Sequence, residues 1–149
     1  MKIGVTGDTY GSEQALRRII QLAPPVEIWL HTGDYSQDAN FLTDISGLPV
    51  IKVCGNCDPM KMRANPDEIF SIEGFRIWLT HGNRYLHYDD AEELAGRAAK
   101  LEVDIVVFGH IHLPVAKWYG DILLLNPGSP TRPRSWTCPS FAVLDLVVG

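Results

Sequence analysis

Six residues of ligand type stand where apolar runs end. The runs at 3–6, 26–30, 49–53, 75–80 and 103–108 finish in Asp8, Asp34, Asn56, His81 and the pair His110/His112, four of them through or beside a glycine. Such side chains cannot sit within the runs unpartnered, because burying an unpaired polar group is costly. At a strand end they can face a crevice instead. Singly, each reads equally well as an ordinary loop residue, a lone histidine above all. Side by side in one sheet, the five ends would deliver two carboxylates, one amide and three imidazoles to one place. Left alone, that cluster suffers like-charge repulsion and desolvation. A bound cation relieves both, and oxygen with imidazole ligands suits manganese, iron, zinc or nickel.

The elements that must position these residues alternate between strand and helix. After the strand at 3–6, Ser12 caps a helix with Ala15, Leu16, Ile19 and Ile20 on one face, stopped by Pro24-Pro25. A strand at 26–30, a short helix at 38–45 and a strand at 49–53 follow, then a loop at 59–66. Segments 68–72 and 75–80 form a hairpin about Glu73-Gly74. Asp89 or Asp90 caps a helix that buries Ala91, Leu94, Ala95, Ala98 and Leu101, leading into the strand at 103–108. A second hairpin pairs 116–119 with 122–125, residues 126–130 make a loop, and 141–148 is the last strand. Early β-α-β units and later hairpins predict an α/β fold with mixed sheets. Trp29, Trp78 and Trp118 lie in apolar runs and are expected in the core.

Composition narrows the function classes. The 149 residues fit one domain, 1–149, large enough to bury a core without staples. A net charge of −5 argues against a broad nucleic-acid surface or an anionic membrane. No apolar stretch is long enough to span a bilayer, and the N-terminus leaves no room for a signal peptide. Three cysteines, Cys54, Cys57 and Cys138, point to a reducing compartment and hence the cytoplasm.

Gly7-Asp8-Thr9-Tyr10-Gly11, Gly33-Asp34, Gly55-Asn56-Cys57-Asp58, Thr80-His81-Gly82 and Gly109-His110-Ile111-His112 resemble, in order, the motifs of calcineurin-like metallophosphoesterases. Cys57 after the asparagine, and Asn126-Pro127-Gly128-Ser129, are most similar to the small single-domain prokaryotic phosphodiesterases, the YfcE-like branch. The resemblance runs through essentially the whole chain. It implies a four-layer αββα sandwich with two divalent metal ions at the sheet edge, manganese first, then iron, zinc or nickel. One ion would take Asp8, the residue at Tyr10, Asp34 and His112, and the other Asp34, Asn56, His81 and His110, with Asp34 bridging. The implied reaction is hydrolysis of small phosphodiesters, extending to monoesters. Two cations roughly 3.5–4 Å apart clamp the phosphoryl oxygens, and a water between them attacks after losing its proton. Asp34, Asn56, His81, Cys57, Asp58 and Asn83 make up the implied catalytic set, and relatives imply a homodimer or homotetramer.

Two positions depart from the family pattern. The first motif usually reads Asp-x-His, whereas the third position here is Tyr10. A tyrosine ligates metal in purple acid phosphatases, but from the second motif, where Gln37 stands here. The phenol oxygen also lies farther from its Cα than an imidazole nitrogen. Either Tyr10 weakens or alters the metal position of Asp8 and His112, or it covers the site or stacks on substrate. Asn83 stands where a second histidine commonly follows His-Gly. Cys57 occupies the position of a leaving-group acid, a poor match for a thiol of pKa near ~8.5. An alternative function is therefore a degenerate metallophosphoesterase fold serving as a protein-binding scaffold, as in the retromer subunit that resembles this family. Against it, six of the seven ligand positions match. Cys54-x-x-Cys57 ends a strand rather than opening a helix, which argues against redox chemistry. His31 is expected to orient a ligand or fill space, His87 and Tyr88 to flank a helix start, and Arg132 and Arg134, which could meet a phosphate, to lie in a solvated loop.

Overall fold

The computed structural model describes residues 1–59, 64–86 and 91–148. The elements run β1 (Lys2–Thr6), α1 (Glu13–Leu22), β2 (Ile28–His31), α2 (Asp38–Ser46), β3 (Val50–Lys52), β4 (Asp67–Ile72) and β5 (Phe75–Thr80). They continue as α3 (Glu92–Leu101), β6 (Ile105–Val107), β7 (Pro114–Tyr119), β8 (Ile122–Pro127) and β9 (Ala142–Asp145). Two mixed sheets form, ordered β3-β2-β1-β9 and β4-β5-β6-β8-β7. In the first, β1, β2 and β3 are parallel, and in the second β5, β6 and β8 are parallel.

Period-two alternation places the core. Ile3, Val5 and Leu30 of one sheet pack against Ile77, Leu79, Ile105 and Val107 of the other. The opposite faces receive the helices: Trp29 meets Leu16 and Ile19 of α1 and Leu42 of α2, while Trp78, Val106 and Leu124 meet Leu94 and Ala98 of α3. The result is the four-layer αββα arrangement. Ser12 caps α1 as its type predicts, its Oγ accepting from Ala15 N at 3.2 Å.

Some expectations are revised. Trp118 is 64% exposed, on the edge strand β7. Asn126 and Pro127 extend β8 rather than forming loop, and the last strand is confined to Ala142–Asp145. The caps Asp89 and Asp90, the helix-flanking His87 and Tyr88, and residues 60–63 of the 59–66 loop lie outside the described residues. No helix among the described residues is long and apolar enough to cross a membrane.

Candidate metal centre

The parallel strands end at matched levels, with Thr6 beside His31 and Leu79 beside Val107 beside Leu125. The loops leaving them therefore converge at one edge of the sandwich. Six residues there, Asp8, Tyr10, Asp34, Tyr35, His110 and His112, have positive φ. The left-handed region is uncommon outside glycine, and such residues gather where function constrains the backbone. Gly55 permits a close approach to a ligand residue: a Cβ there would collide with Asp34 Oδ1, and Asp34 N would lie 2.5 Å away.

Two imidazoles are oriented by main-chain carbonyls. Thr32 O lies 2.8 Å from His81 Nδ1, and Arg132 O lies 2.7 Å from His112 Nδ1. A carbonyl only accepts, so each Nδ1 carries the hydrogen and each Nε2 presents a lone pair. Those lone pairs face carboxylates: His81 Nε2 is 3.4 Å from Asp34 Oδ2, and His112 Nε2 is 3.7 Å from Asp8 Oδ1. Burial lowers the pKa of both rings, which disfavours a second proton as the remedy. Asn56 Oδ1 adds a third acceptor, 2.9 Å from His81 Nε2 and 3.1 Å from His110 Nδ1.

The carboxylates have the complementary problem. Asp8 is fully buried, Oδ2 accepts from His110 N at 3.2 Å, and Oδ1 has no hydrogen-bond partner among the described residues. Burial, then the neighbouring Asp34, raises the Asp8 pKa well above the usual carboxylate range. Asp8, Asp34 and His81 each aim a ligand atom at one space, within 4.8 Å of one another. An orphaned buried oxygen surrounded by acceptor atoms fits a divalent cation with nitrogen and oxygen ligands.

Tyr10 enters this set directly. Its hydroxyl donates to Asp34 Oδ2 at 3.0 Å and lies 3.0 Å from His112 Nε2. Burial, then Asp34, pushes the phenol pKa upward, so the hydroxyl keeps its proton. The ring packs on Tyr35 at 5.3 Å, and the Arg132 guanidinium lies over it at 4.0 Å.

The remaining predicted residues divide. Cys57 donates its backbone N–H to Asp34 Oδ1 at 2.8 Å, while its exposed thiol has its pKa raised by burial and then Asp34. Asp58 commits both oxygens to main-chain amides, Ser36 N at 2.8 Å and Gly55 N at 2.7 Å, so it ties two loops together. Asn83 is exposed in the turn after His81-Gly82. His31 is a brace: it accepts from Gly33 N at 3.2 Å and, through Nε2, donates to Thr9 Oγ1 at 3.0 Å. Thr9 Oγ1 in turn donates to Asp38 Oδ2 at 2.6 Å. Ser129 accepts from Arg132 N and donates to Asp8 O. Thr9 and Ser129 lie within the family-like motifs but have no implied role there, and Asp38 carries no sequence signal beyond its place after Gly33-Asp34. In the loop of Arg132 and Arg134, Arg132 is exposed, as expected of a solvated loop, while Arg134 is half-buried and its Nε donates to Ile111 O at 2.6 Å.

Fold and site together define a metal-binding α/β sandwich. Residues 1–148 match the calcineurin-like phosphoesterase superfamily domain, and the chain belongs to that family. It is 38% identical to a probable metallophosphoesterase of Methanothermobacter thermautotrophicus, over 98% of this chain and 86% of that protein. It is 31% identical to phosphodiesterase YfcE of Escherichia coli, over 97% and 88% respectively. The fold is also similar to wild-type Vps29 of Entamoeba histolytica complexed with Zn2+, with TM-score 0.81 and 29% identity over 98% and 86% of the chains.

Proposed function

We propose that this protein is a metal-dependent phosphodiesterase acting on small phosphodiesters, extending to monoesters, at a two-metal site that prefers manganese. The observation that carries this is the pair of Nε2 lone pairs held by main-chain carbonyls against Asp34 and Asp8. Asp34, Asn56, His81 and His110 would hold one cation, and Asp8, Asp34 and His112, with Tyr10 beside them, the other. Bound there, divalent cations supply Lewis-acid polarisation of phosphoryl oxygens and a water acidic enough to act at neutral pH. Asp34 is kept aimed by the Cys57 amide on its far oxygen. Cys57 and Asn83, both exposed, are assigned to substrate contact at the mouth. A cytoplasmic homo-oligomer is part of the same proposal.

The second reading, a protein-binding scaffold of degenerate fold, is favoured by the Tyr10 hydroxyl standing between Asp34 and His112. Metal analysis after gel filtration, with bis(p-nitrophenyl) phosphate turnover in manganese, separates them. Retained metal with turnover that Asp34→Asn abolishes is expected of the enzyme, and neither metal nor turnover of the scaffold. Tyr10→His is expected to raise metal content and turnover; if both stay unchanged, Tyr10 does not weaken the second position and covers the site instead.

A further inference from the structure

A cavity of about 610 Å³ opens beside the metal centre, between α1 and the segment 130–141. Its volume is in the range of small-molecule sites. Tyr10 joins the two spaces: it lines the cavity, while its hydroxyl reaches Asp34. Ile19 and Phe141 give the cavity an apolar wall, and Arg18 and Arg132 give it two guanidinium groups. Neither arginine forms an ion pair with a carboxylate among the described residues. In a chain of net charge −5, two guanidinium groups without a carboxylate partner, one from α1 and one from the segment 130–141, are a local excess. The Arg132 guanidinium lies over the Tyr10 ring at 4.0 Å, and a guanidinium so placed can offer its N–H groups to a bidentate contact with an anion. The first turn of α1 also opens here, where the helix dipole favours negative charge.

We propose that this cavity is a subsite for a second anionic group, a phosphate or carboxylate, carried by the substrate beyond its scissile phosphoester and held by Arg18 and Arg132. The apolar wall of Ile19 and Phe141 takes the organic body between the two anions. The proposal rests on the phosphodiesterase assignment above and narrows its substrate class.

Two p-nitrophenyl esters of thymidine 5′-phosphate, one with and one without a 3′-phosphate, test it. Manganese-loaded protein is expected to prefer the 3′-phosphorylated ester about tenfold or more in kcat/KM, mainly through KM, as a charge-assisted phosphate contact allows. Arg18→Gln and Arg132→Gln should each remove most of that preference. No preference in a protein that splits bis(p-nitrophenyl) phosphate overturns the subsite and leaves the phosphodiesterase assignment standing, as does a preference that survives both substitutions. If no ester is split, the phosphodiesterase assignment fails. Calorimetric binding of thymidine 3′,5′-bisphosphate to the metal-free chain then decides the subsite alone. Binding weakened in both variants supports the anion site, and equal binding in all three proteins overturns it.

Discussion

Asp38 opens α2, yet its buried carboxylate turns away from that helix. Its Oδ2 accepts from Thr9 Oγ1 at 2.6 Å and from Gly11 N at 2.8 Å, tying the loop that carries Asp8 and Tyr10 to α2. Asp38→Ala would leave a hydroxyl and an amide without their acceptor. Each hydrogen bond to a charged group contributes about 1.5–3 kcal/mol. The negative charge in the first helical turn adds about 0.3–1 kcal/mol. Because both donors share one oxygen, the terms do not sum fully, and about 3–4 kcal/mol is expected. For a chain of this size, each kcal/mol lowers the unfolding midpoint by about 2–4 °C, which gives a fall of about 10 °C. Circular-dichroism melts in chelator measure this without any contribution from bound metal. Asp44→Ala, exposed on the same helix, is the control. Thr9→Val and the double variant should reveal a coupling of about 1 kcal/mol or more. A midpoint within about 2 °C of the control would mean that Asp38 does not brace the site loop.

Three further outcomes follow from the same geometry. In Gly55→Ala the new methyl meets Asp34 Oδ1 and N, so Asp34 must shift and manganese affinity should fall about 10–100-fold by isothermal calorimetry. Unaltered affinity would show that the Gly55–Asp34 approach is not needed. Complete burial lowers the His31 pKa to about 4, against about 6.5 when unfolded, so the stability of its neutral form is complete above the higher value. That stability is lost as pH falls through the lower value. Lowering the pH from ~7.5 to ~5 should therefore reduce the urea-unfolding free energy of the wild type by about 2 kcal/mol more than that of His31→Gln; parallel losses would contradict the assignment. Saturating manganese at about 100 times its Kd should stabilise the protein by about 2.7 kcal/mol, and Asp8→Asn should reduce that gain. A gain identical in the two proteins would remove Asp8 from the ligand set.

Much of the architecture is written locally. Alternating apolar residues in β1 and β5, Ser12 before α1 and the glycine-punctuated strand ends are short-range signals, because strand and helix periods repeat within a few residues. They place Asp8, Asp34, Asn56, His81, His110 and His112 at strand ends, and parallel pairing then has no choice but to gather those ends. What the residues do once gathered depends on partners far away in the chain. The Nε2 of His112 is available because Arg132 O holds the other nitrogen, and Tyr10 reaches it across 102 positions. Asp58 resembles a site carboxylate in sequence, but the packing of Ser36 and Gly55 turns both its oxygens to main-chain amides. Trp78 and Trp118 both sit in strands, but Trp78 lies between Ile77 and Leu79 on β5, inside its sheet, whereas Trp118 lies between Lys117 and Tyr119 on an edge strand and is exposed. Residue type and period are local properties of a chain, whereas tautomer, desolvation and hydrogen-bond partner are set by whichever distant segments fold against it.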